Sequence, residues 1–402
     1  MSIYLDNAAT TPLNPLVLDA MMPYLTTRFG NPSSIHSAGR DARIAIDTSR
    51  NSVAENLRCI PEEIIFTGTT TDSNNLALQG IISSARGYIP HIITSAIEHH
   101  AVLTLCQRLS AQGKATVSII PVDQFGMVNP DDIFNAIKPQ TILVSIMYAN
   151  NEVGTIQPID EIINMIETVN IKRVGDGQPK IYVHTDAATV AEFITLDTQK
   201  LKIDLLSLGA HKFHGPKGIG LLYIRKGTEL EPILFGGNHE RSFWPGTENV
   251  AGIVGMATAF KIAQAESEVN TKRISPLRDY FIEEILKRIP KSVLTGHPSK
   301  RLPDIASFTF EGAEGEAILL HLDKNGIEAS SGSACTAGDL HPSHVLLALG
   351  IPPAIAHSSI RFSIGIDTTE AELRVVIDTL PPIIEMLRSM SPYGKDVSEK
   401  IV

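Results

Sequence analysis

The chain has 402 residues, more than one ordinary core holds, so two domains are favoured. Its 43% hydrophobic and 19% charged residues are typical of a folded globular protein and exclude an intrinsically disordered one. The net charge of −10 argues against broad non-specific binding of nucleic acid, although a local basic patch is compatible with it. The first residues do not resemble a secretory signal and no apolar run approaches a membrane span, so we expect a cytoplasmic protein.

Short β-rich runs alternate with helical stretches between about residues 60 and 225. The runs are almost continuously apolar, as in strands covered on both faces, and occupy residues 63–67, 91–95, 117–121, 141–147, 181–186, 204–208 and 220–224. This alternation predicts an α/β domain with a mostly parallel sheet flanked by helices. Beyond about residue 255, a long helix, a strand and two further helices predict a smaller α+β domain. We therefore assign residues 16–258 to a large domain, and residues 1–15 and 259–402 to a small one.

Polar side chains follow five of these strands at the point where each strand ends. They are the hydroxyls of Thr69–Thr71, His99, the pair Asn150 and Asn151, Asp186, and the segment Gly209-Ala-His-Lys. Ligands of parallel α/β sheets bind beyond the carboxyl ends of the strands. One such residue could be an ordinary loop residue, and the threonines could simply cap a helix. Five sites in register indicate a ligand site.

The chemistry of this set suits pyridoxal 5'-phosphate (PLP). That cofactor needs a lysine, an acidic partner for its pyridine nitrogen and an anion site for its phosphate. Lys212, Asp186 and the hydroxyls near Thr71 provide those groups, the last at a predicted helix N-terminus. His99 could stack on the ring, and His211 could fix the phosphate or the adjoining loop. The sequence therefore predicts a PLP site.

The three cysteines differ in their surroundings. An odd and sparse set argues against a disulfide framework, and its spacing indicates no metal site. Cys59 and Cys106 lie in apolar stretches typical of packed thiols. Cys335 lies in Ser330-Ser-Gly-Ser-Ala-Cys-Thr-Ala-Gly, whose composition predicts an accessible loop. An accessible thiol is a candidate nucleophile.

The sequence resembles the cysteine desulfurases of the NifS/IscS group, within the class V aminotransferase family. The similarity runs nearly end to end, through Tyr4-Leu-Asp-Asn-Ala-Ala-Thr-Thr-Pro, Phe29-Gly-Asn-Pro-Ser-Ser-Ile-His, Glu98-His, Asn150-Asn-Glu-Val-Gly, His184-Thr-Asp-Ala, His211-Lys, Ser330-Ser-Gly-Ser-Ala-Cys-Thr and His357-Ser-Ser-Ile-Arg-Phe-Ser-Ile-Gly. The resemblance implies the homodimeric PLP fold type I. It also implies removal of sulfur from L-cysteine, giving L-alanine and a persulfide that passes to an acceptor protein.

The resemblance assigns roles to single residues. Lys212 would bond to PLP and move the proton of the substrate Cα, Asp186 would pair with the pyridine nitrogen, and His99 would stack on the ring. Arg361 would hold the substrate carboxylate, a task that suits a guanidinium fork. Cys335 would attack the substrate sulfur. The phosphate and ring substituents would be held by Thr70, Thr71, Asn151 (which would also contact the substrate), Thr189, Gly209, His211 and, from the partner subunit, Thr247.

The sequence departs from its relatives at several of these positions. Relatives usually read Ser-Gly-Ala-Thr-Glu-Ser where this chain reads Gly68-Thr-Thr-Thr-Asp-Ser. They carry Gln where Thr189 stands, Ser where Gly209 stands and Arg-Ser where Trp244-Pro245 stands. Lost hydrogen bonds predict weaker PLP binding and a divergent branch. Iron–sulfur assembly, tRNA thiolation and DNA phosphorothioation all stay open as pathways.

Other functions are compatible with parts of the pattern. A cystine or selenocysteine lyase on the same scaffold would need no nucleophilic loop cysteine, so Cys335 argues against it. A sulfur-transfer scaffold of low activity would not need the set Lys212, Asp186, His99 and Arg361. A dinucleotide enzyme would carry GxGxxG after a strand, which the sequence lacks.

Overall fold

The computed structural model describes residues 2–331 and 342–390. The strands in this part are β1 Ile3–Tyr4, β2 Ile64–Thr67, β3 His91–Ser95, β4 Thr116–Ile120, β5 Thr141–Ser145, β6 Tyr182–Asp186, β7 Leu205–Gly209, β8 Gly220–Ile224, β9 Ser292–Leu294, β10 Ile305–Phe310, β11 Ile327–Glu328 and β12 Ser359–Ser363. The α-helices are α1 Pro15–Leu25, α2 Ser37–Leu57, α3 Thr70–Ser84, α4 His100–Ala111, α5 Pro130–Asn135, α6 Ile159–Gly175, α7 Thr198–Leu201, α8 Val250–Arg288, α9 Gly315–Lys324, α10 His344–Ala348, α11 Pro353–Ala356 and α12 Glu370–Met390. Within those ranges no helix combines the length and apolarity that a membrane span requires.

The central sheet has the strand order β2-β8-β7-β6-β5-β3-β4. Strand β8 pairs antiparallel with both of its neighbours, whereas the remaining pairs are parallel. The mostly parallel α/β sheet expected from the sequence is therefore confirmed. Because the parallel strands end at one edge, the residues that follow β2, β3, β5, β6 and β7 converge there.

Helices cover both faces of this sheet, which explains why its strands are almost continuously apolar. Side chains of β2 alternate: Ile64 and Phe66 pack into a cluster with α2, α6 and α8. Ile65 points to the other face and packs with α3 and α4. Cys106 lies in that second cluster at 0% exposure, and half-buried Cys59 packs against the first. Both thiols are packed residues, as expected.

A second core lies beside a three-stranded antiparallel sheet of order β12-β10-β9. Phe281, Phe308 and Phe362 meet there, with the ring centroids of Phe281 and Phe362 5.2 Å apart. Helix α8 joins the two cores: Ile253 to Ala263 packs against the first and Ile274 to Ile285 against the second. The N-terminal segment belongs to the second core, since Leu5 is buried in it and β1 pairs with β11.

One buried histidine ties three strands of the central sheet together. His184 on β6 hydrogen-bonds through Nδ1 to Ser145 Oγ on β5 at 2.8 Å and through Nε2 to Ser207 Oγ on β7 at 3.0 Å. Its side chain is fully buried, and burial lowers its pKa from 6.5 to about 3. The folded protein therefore holds this imidazole neutral, whereas the unfolded chain protonates it below pH 6.5.

His184 should make the fold sensitive to acid. Its contribution is fully present above pH 6.5 and is lost as the pH falls toward 3, about 2 kcal/mol of unfolding free energy between pH 7 and pH 5. Urea unfolding of the cofactor-free chain at both pH values measures this loss. The His184→Gln variant, which cannot titrate, should lose about 2 kcal/mol less than the wild type over that interval. Equal losses in the two proteins would contradict the assignment.

Candidate active site

A cavity of about 360 Å³ opens at the sheet edge where the parallel strands end. Its lining includes Thr69, Thr70, Thr71, His99, Asn151, Asp186, Thr189, His211, Lys212 and Arg361. The structure thus brings together nearly all of the site residues predicted from the sequence. Gly209 and Thr247 are not among the lining residues; Gly209 ends β7 behind Thr70, and Thr247 is exposed on the loop before α8.

Lys212 enters the cavity from the turn after β7. Its Nζ donates hydrogen bonds to the carbonyl oxygens of Ala8 and, at 2.9 Å, Ala9. The neighbouring His211 hydrogen-bonds through Nδ1 to Thr10 Oγ1 at 3.2 Å. Burial and the charges of Lys212 and Lys217 lower the pKa of His211 to about 4, so this ring is neutral at neutral pH. The N-terminal segment therefore forms one wall of the site and positions both residues.

Asp186 lies at the end of β6 with its carboxylate held on both sides. Asn74 Nδ2 donates to Oδ2 at 2.7 Å, and the Ala188 N–H donates to Oδ1 at 3.0 Å. Asp186 is 7% exposed and Asn74 is fully buried on α3. The two donors fix the orientation of an acceptor that could pair with a protonated ring nitrogen.

His99 is the N-cap of α4, and the Ala101 N–H donates to its Nδ1 at 3.1 Å. Burial lowers the pKa of His99; Asp186 acts in the opposite direction, and Lys212 adds to the lowering. The neutral ring must then carry its proton on Nε2, because Nδ1 is an acceptor. His99 can thus stack on a flat ligand and donate from Nε2.

Glu98, next to it in sequence, is fully buried, and burial raises the pKa of its carboxyl to about 8. Its Oε1 accepts from Ser95 Oγ at 2.5 Å and from the Met147 N–H at 3.0 Å. These bonds tie the end of β3 to the end of β5. Glu98 therefore supports the backbone that carries His99, which is a positioning role.

The hydroxyl run at the start of α3 divides into two tasks. Thr69 Oγ1 accepts from the Asp72 N–H at 3.1 Å and caps the helix. Thr70 Oγ1 is buried and, in the described part of the chain, has no hydrogen-bond partner. The first N–H groups of a helix also have no acceptor within the helix. Thr70 and Thr71 thus line a place with unused donors, which fits an anion such as phosphate.

Arg361 on β12 approaches the cavity from the small sheet and is 2% exposed. Its Nη1 donates to the Asn151 carbonyl oxygen at 3.0 Å and its Nη2 pairs with Asp6 Oδ1 at 2.7 Å. Its Nε is buried and has no partner among the described residues. A fixed guanidinium with an unused donor suits recognition of a carboxylate.

The remaining predicted positions are placed as follows. Thr189 lines the cavity, but its Oγ1 reaches only the Ala149 carbonyl oxygen, at 3.4 Å. Trp244 packs partly buried against the cluster of α3 and α4. Cys335, the predicted nucleophile, lies outside the described residues.

The residues on either side of Cys335 are held at the site. Ser330 forms an antiparallel bridge with Arg361, and their backbones exchange hydrogen bonds in both directions. Ser343 Oγ donates to Glu152 Oε2 at 2.5 Å, next to Asn151. Both attachments are at or beside cavity residues.

Sequence reasoning missed three partners of the site: Asp6, Asn74 and Glu98. Asp6 and Arg361 are 355 positions apart, so no local pattern links them. The segment Tyr4-Leu-Asp-Asn-Ala-Ala-Thr-Thr-Pro was a signal of the resemblance, but it indicated no role. Its role is now visible in the contacts of Asp6, Ala8, Ala9 and Thr10 with the cationic and imidazole side chains.

Comparison with known proteins places the chain among well-described relatives. Residues 3–376 match the model of the family described as "Aminotransferase class-V". Cysteine desulfurase IscS of Dictyoglomus turgidum is 48% identical over 98% of this chain and 97% of its own. Cysteine desulfurase IscS of Methanosarcina thermophila is 48% identical over 97% of this chain and 94% of its own. A solved structure described as a NifS-like protein superposes with a TM-score of 0.87 at 35% identity, covering 96% and 99% of the two chains.

Proposed function

The chain belongs to the aminotransferase class-V family and to its cysteine desulfurases, and we propose that it converts L-cysteine to L-alanine by passing the sulfur to Cys335. One observation carries the assignment. Lys212, Asp186, His99 and Arg361 line a single cavity, and the segment with Cys335 begins at a residue paired with Arg361.

The cofactor that we propose for this cavity is PLP. When bound, PLP supplies an electron sink for the bonds of the substrate Cα. The donor set fits its functional groups: hydroxyls and helix N–H groups at Thr70 and Thr71 for the phosphate, the fixed carboxylate of Asp186 for the ring nitrogen, and the amine of Lys212. Thr189 and Asn151 also line the cavity and would contact the ring substituents.

The side chains divide the work among proton transfer, binding and attack. Lys212 Nζ takes the proton of the substrate Cα, and His99 Nε2 offers a proton in the same cavity. Arg361 holds the carboxylate. The substrate Cβ–S bond breaks as that sulfur bonds to the thiolate of Cys335. The Cβ takes up one proton, which balances the proton lost by the Cys335 thiol, and becomes the methyl group of alanine, while the Cα regains the proton that Lys212 removed. One sulfur atom moves in total, and no external oxidant or reductant is needed.

Removal of the Arg361 guanidinium should weaken substrate binding. We expect Arg361→Ala to raise KM for L-cysteine by about 10–100-fold, because a charged hydrogen-bonding partner of the carboxylate is lost. Arg361→Lys keeps the charge without the planar fork, so its KM should lie between those of the wild type and Arg361→Ala. Steady-state kinetics measures the effect, with PLP absorbance of each variant as the check on folding. An unchanged KM in a variant that retains its PLP would contradict the role.

We also propose a homodimer, in which Thr247 completes the phosphate site of the partner subunit. The segment 16–35 exposes a series of large apolar side chains: Leu16, Leu18, Met22, Leu25, Phe29 and Ile35. Phe235, 90% exposed, lies on the loop that leads to Thr247, and Ser33 Oγ contacts His239 Nε2 at 3.4 Å to join the two segments. Large apolar side chains exposed in this number are usually covered by a partner.

The destination of the sulfur and the division into domains are further proposals. A persulfide on Cys335 would be passed to an acceptor protein that carries a thiol.

The assignment of residues 16–258 to a large domain, and 1–15 and 259–402 to a small one, is supported by the two cores that share α8.

A further inference from the structure

Gly209 and Thr70 compete for one position at the edge of the cavity. A Cβ atom built on Gly209 would lie 2.1 Å from Thr70 Oγ1, closer than two unbonded atoms can approach. The hydroxyl of Thr70 therefore occupies the space that a side chain at position 209 would fill. The family resemblance implies the reverse arrangement in relatives, which usually carry alanine where Thr70 stands and serine where Gly209 stands.

The Thr70 hydroxyl also has hydrogen-bonding capacity that the described residues do not use. It is buried, it has no hydrogen-bond partner in the described residues, and Thr70 lines the cavity at the first position of α3. We propose that Thr70 Oγ1 is a phosphate-binding hydroxyl that replaces, from α3, the one that relatives present from the end of β7. The proposal rests on the proposed function in taking the bound anion to be the phosphate of PLP. The loss expected from Gly209 is thereby offset by Thr70.

A second glycine beside the same turn provides the control. Gly220 on β8 is the register partner of Gly209, and a Cβ on it would lie 2.5 Å from the backbone C and O atoms of Thr69. The Thr70 side chain can rotate away from a new Cβ at position 209. The backbone of Thr69 cannot move in this way to make room for a Cβ at position 220. Substitution of Gly220 should therefore destabilise the chain whatever stands at position 70, while substitution of Gly209 should be coupled to Thr70 alone.

The test is a double-mutant cycle on the full chain freed of PLP. The dissociation constants of PLP and of inorganic phosphate are measured by titration, together with melting temperature. Thr70→Ala should weaken PLP binding about ten-fold or more, because a hydrogen bond to a charged group is lost. Gly209→Ala should cause a similar loss by displacing the hydroxyl. The double variant T70A/G209A should be no worse than either single one, since both remove the same contact.

The decisive variant restores the hydroxyl from position 209 after it has been removed from position 70. T70A/G209S rebuilds the arrangement of the relatives and should bind PLP within about three-fold of the wild type. Thr70→Ser should also stay within about three-fold, because it retains the hydroxyl. Gly220→Ala should lower the melting temperature, and Thr70→Ala should not relieve it.

Unchanged PLP and phosphate affinity in Thr70→Ala, or independent losses that multiply in T70A/G209A, would overturn the proposal. Failure of the proposed function has a different signature. A wild-type holoenzyme that released no alanine from cysteine would refute desulfuration, while the affinity pattern of the five variants at positions 70 and 209 would still establish the hydroxyl as the phosphate ligand.

Discussion

Replacing Lys212 with alanine is expected to lower the rate of alanine formation from L-cysteine by about 10²–10⁴-fold or more, the range that one positioned proton-transfer group contributes. The side chain lies in the same cavity as Asp186, His99 and Arg361, and its amine is held by the carbonyl oxygens of Ala8 and Ala9. Among residues 2–331 and 342–390, no other lysine lines that cavity. We also expect the variant to lose covalent attachment of PLP, which borohydride reduction and mass spectrometry of the peptide detect.

Lys217 provides the matched control, because it stands five positions later on the same loop and is exposed. Lys217→Ala should retain both alanine formation and the reduced PLP adduct on Lys212. An adduct on a different lysine, or full activity in Lys212→Ala, would show that the amine had been assigned to the wrong residue.

Replacing Cys335 with alanine is expected to leave PLP bound and to abolish persulfide formation. The other two thiols are poor substitutes: burial, aided by Glu63 for Cys59 and by Glu98 for Cys106, raises the pKa of each to about 12. A thiol with such a pKa is almost entirely protonated at pH 7, and the thiolate is the nucleophile. Sulfide trapping and PLP absorbance of the same sample measure the two effects.

Cys59→Ala serves as its control, since it removes a half-buried thiol whose raised pKa makes it a poor nucleophile. That variant should form the persulfide at the wild-type level. Persulfide formation that persisted in Cys335→Ala would transfer the nucleophile to another group and refute the assignment.

The sequence was sufficient to predict the elements that follow one local rule. Continuous apolar runs predict β3, β5 and β7, because strands covered on both faces need no polar side. The antiparallel direction of β8 was not predicted, since a local run carries no sign of its direction. Strand β12 was also missed: its run Ser359-Ile-Arg-Phe-Ser places a charged residue at a buried position. The pairing with Asp6 and the hydrogen bond to the Asn151 carbonyl oxygen make that charge tolerable.

The site residues also divide into those that a local rule predicts and those that depend on distant contacts. Lys212, Asp186 and His99 could be predicted because parallel strands bring their carboxyl ends to one edge. The donors that orient these groups, such as Asn74 for Asp186, depend on side chains 112 positions apart. The steric conflict between the Thr70 hydroxyl on α3 and a side chain at position 209 on β7 depends on a distance of 2.1 Å between Thr70 Oγ1 and a Cβ built on Gly209. The sequence alone does not show how close these two elements lie.

The most direct test of the account is to follow the sulfur atom of L-cysteine in the wild-type holoenzyme. Cysteine labelled with heavy sulfur is added, alanine is quantified, and the peptide that contains Cys335 is analysed by mass spectrometry without reductant. We predict one labelled sulfur on Cys335 and one alanine for each active site in the first turnover. Pyruvate and ammonia in place of alanine, with no sulfur on Cys335, would contradict desulfuration and favour a lyase.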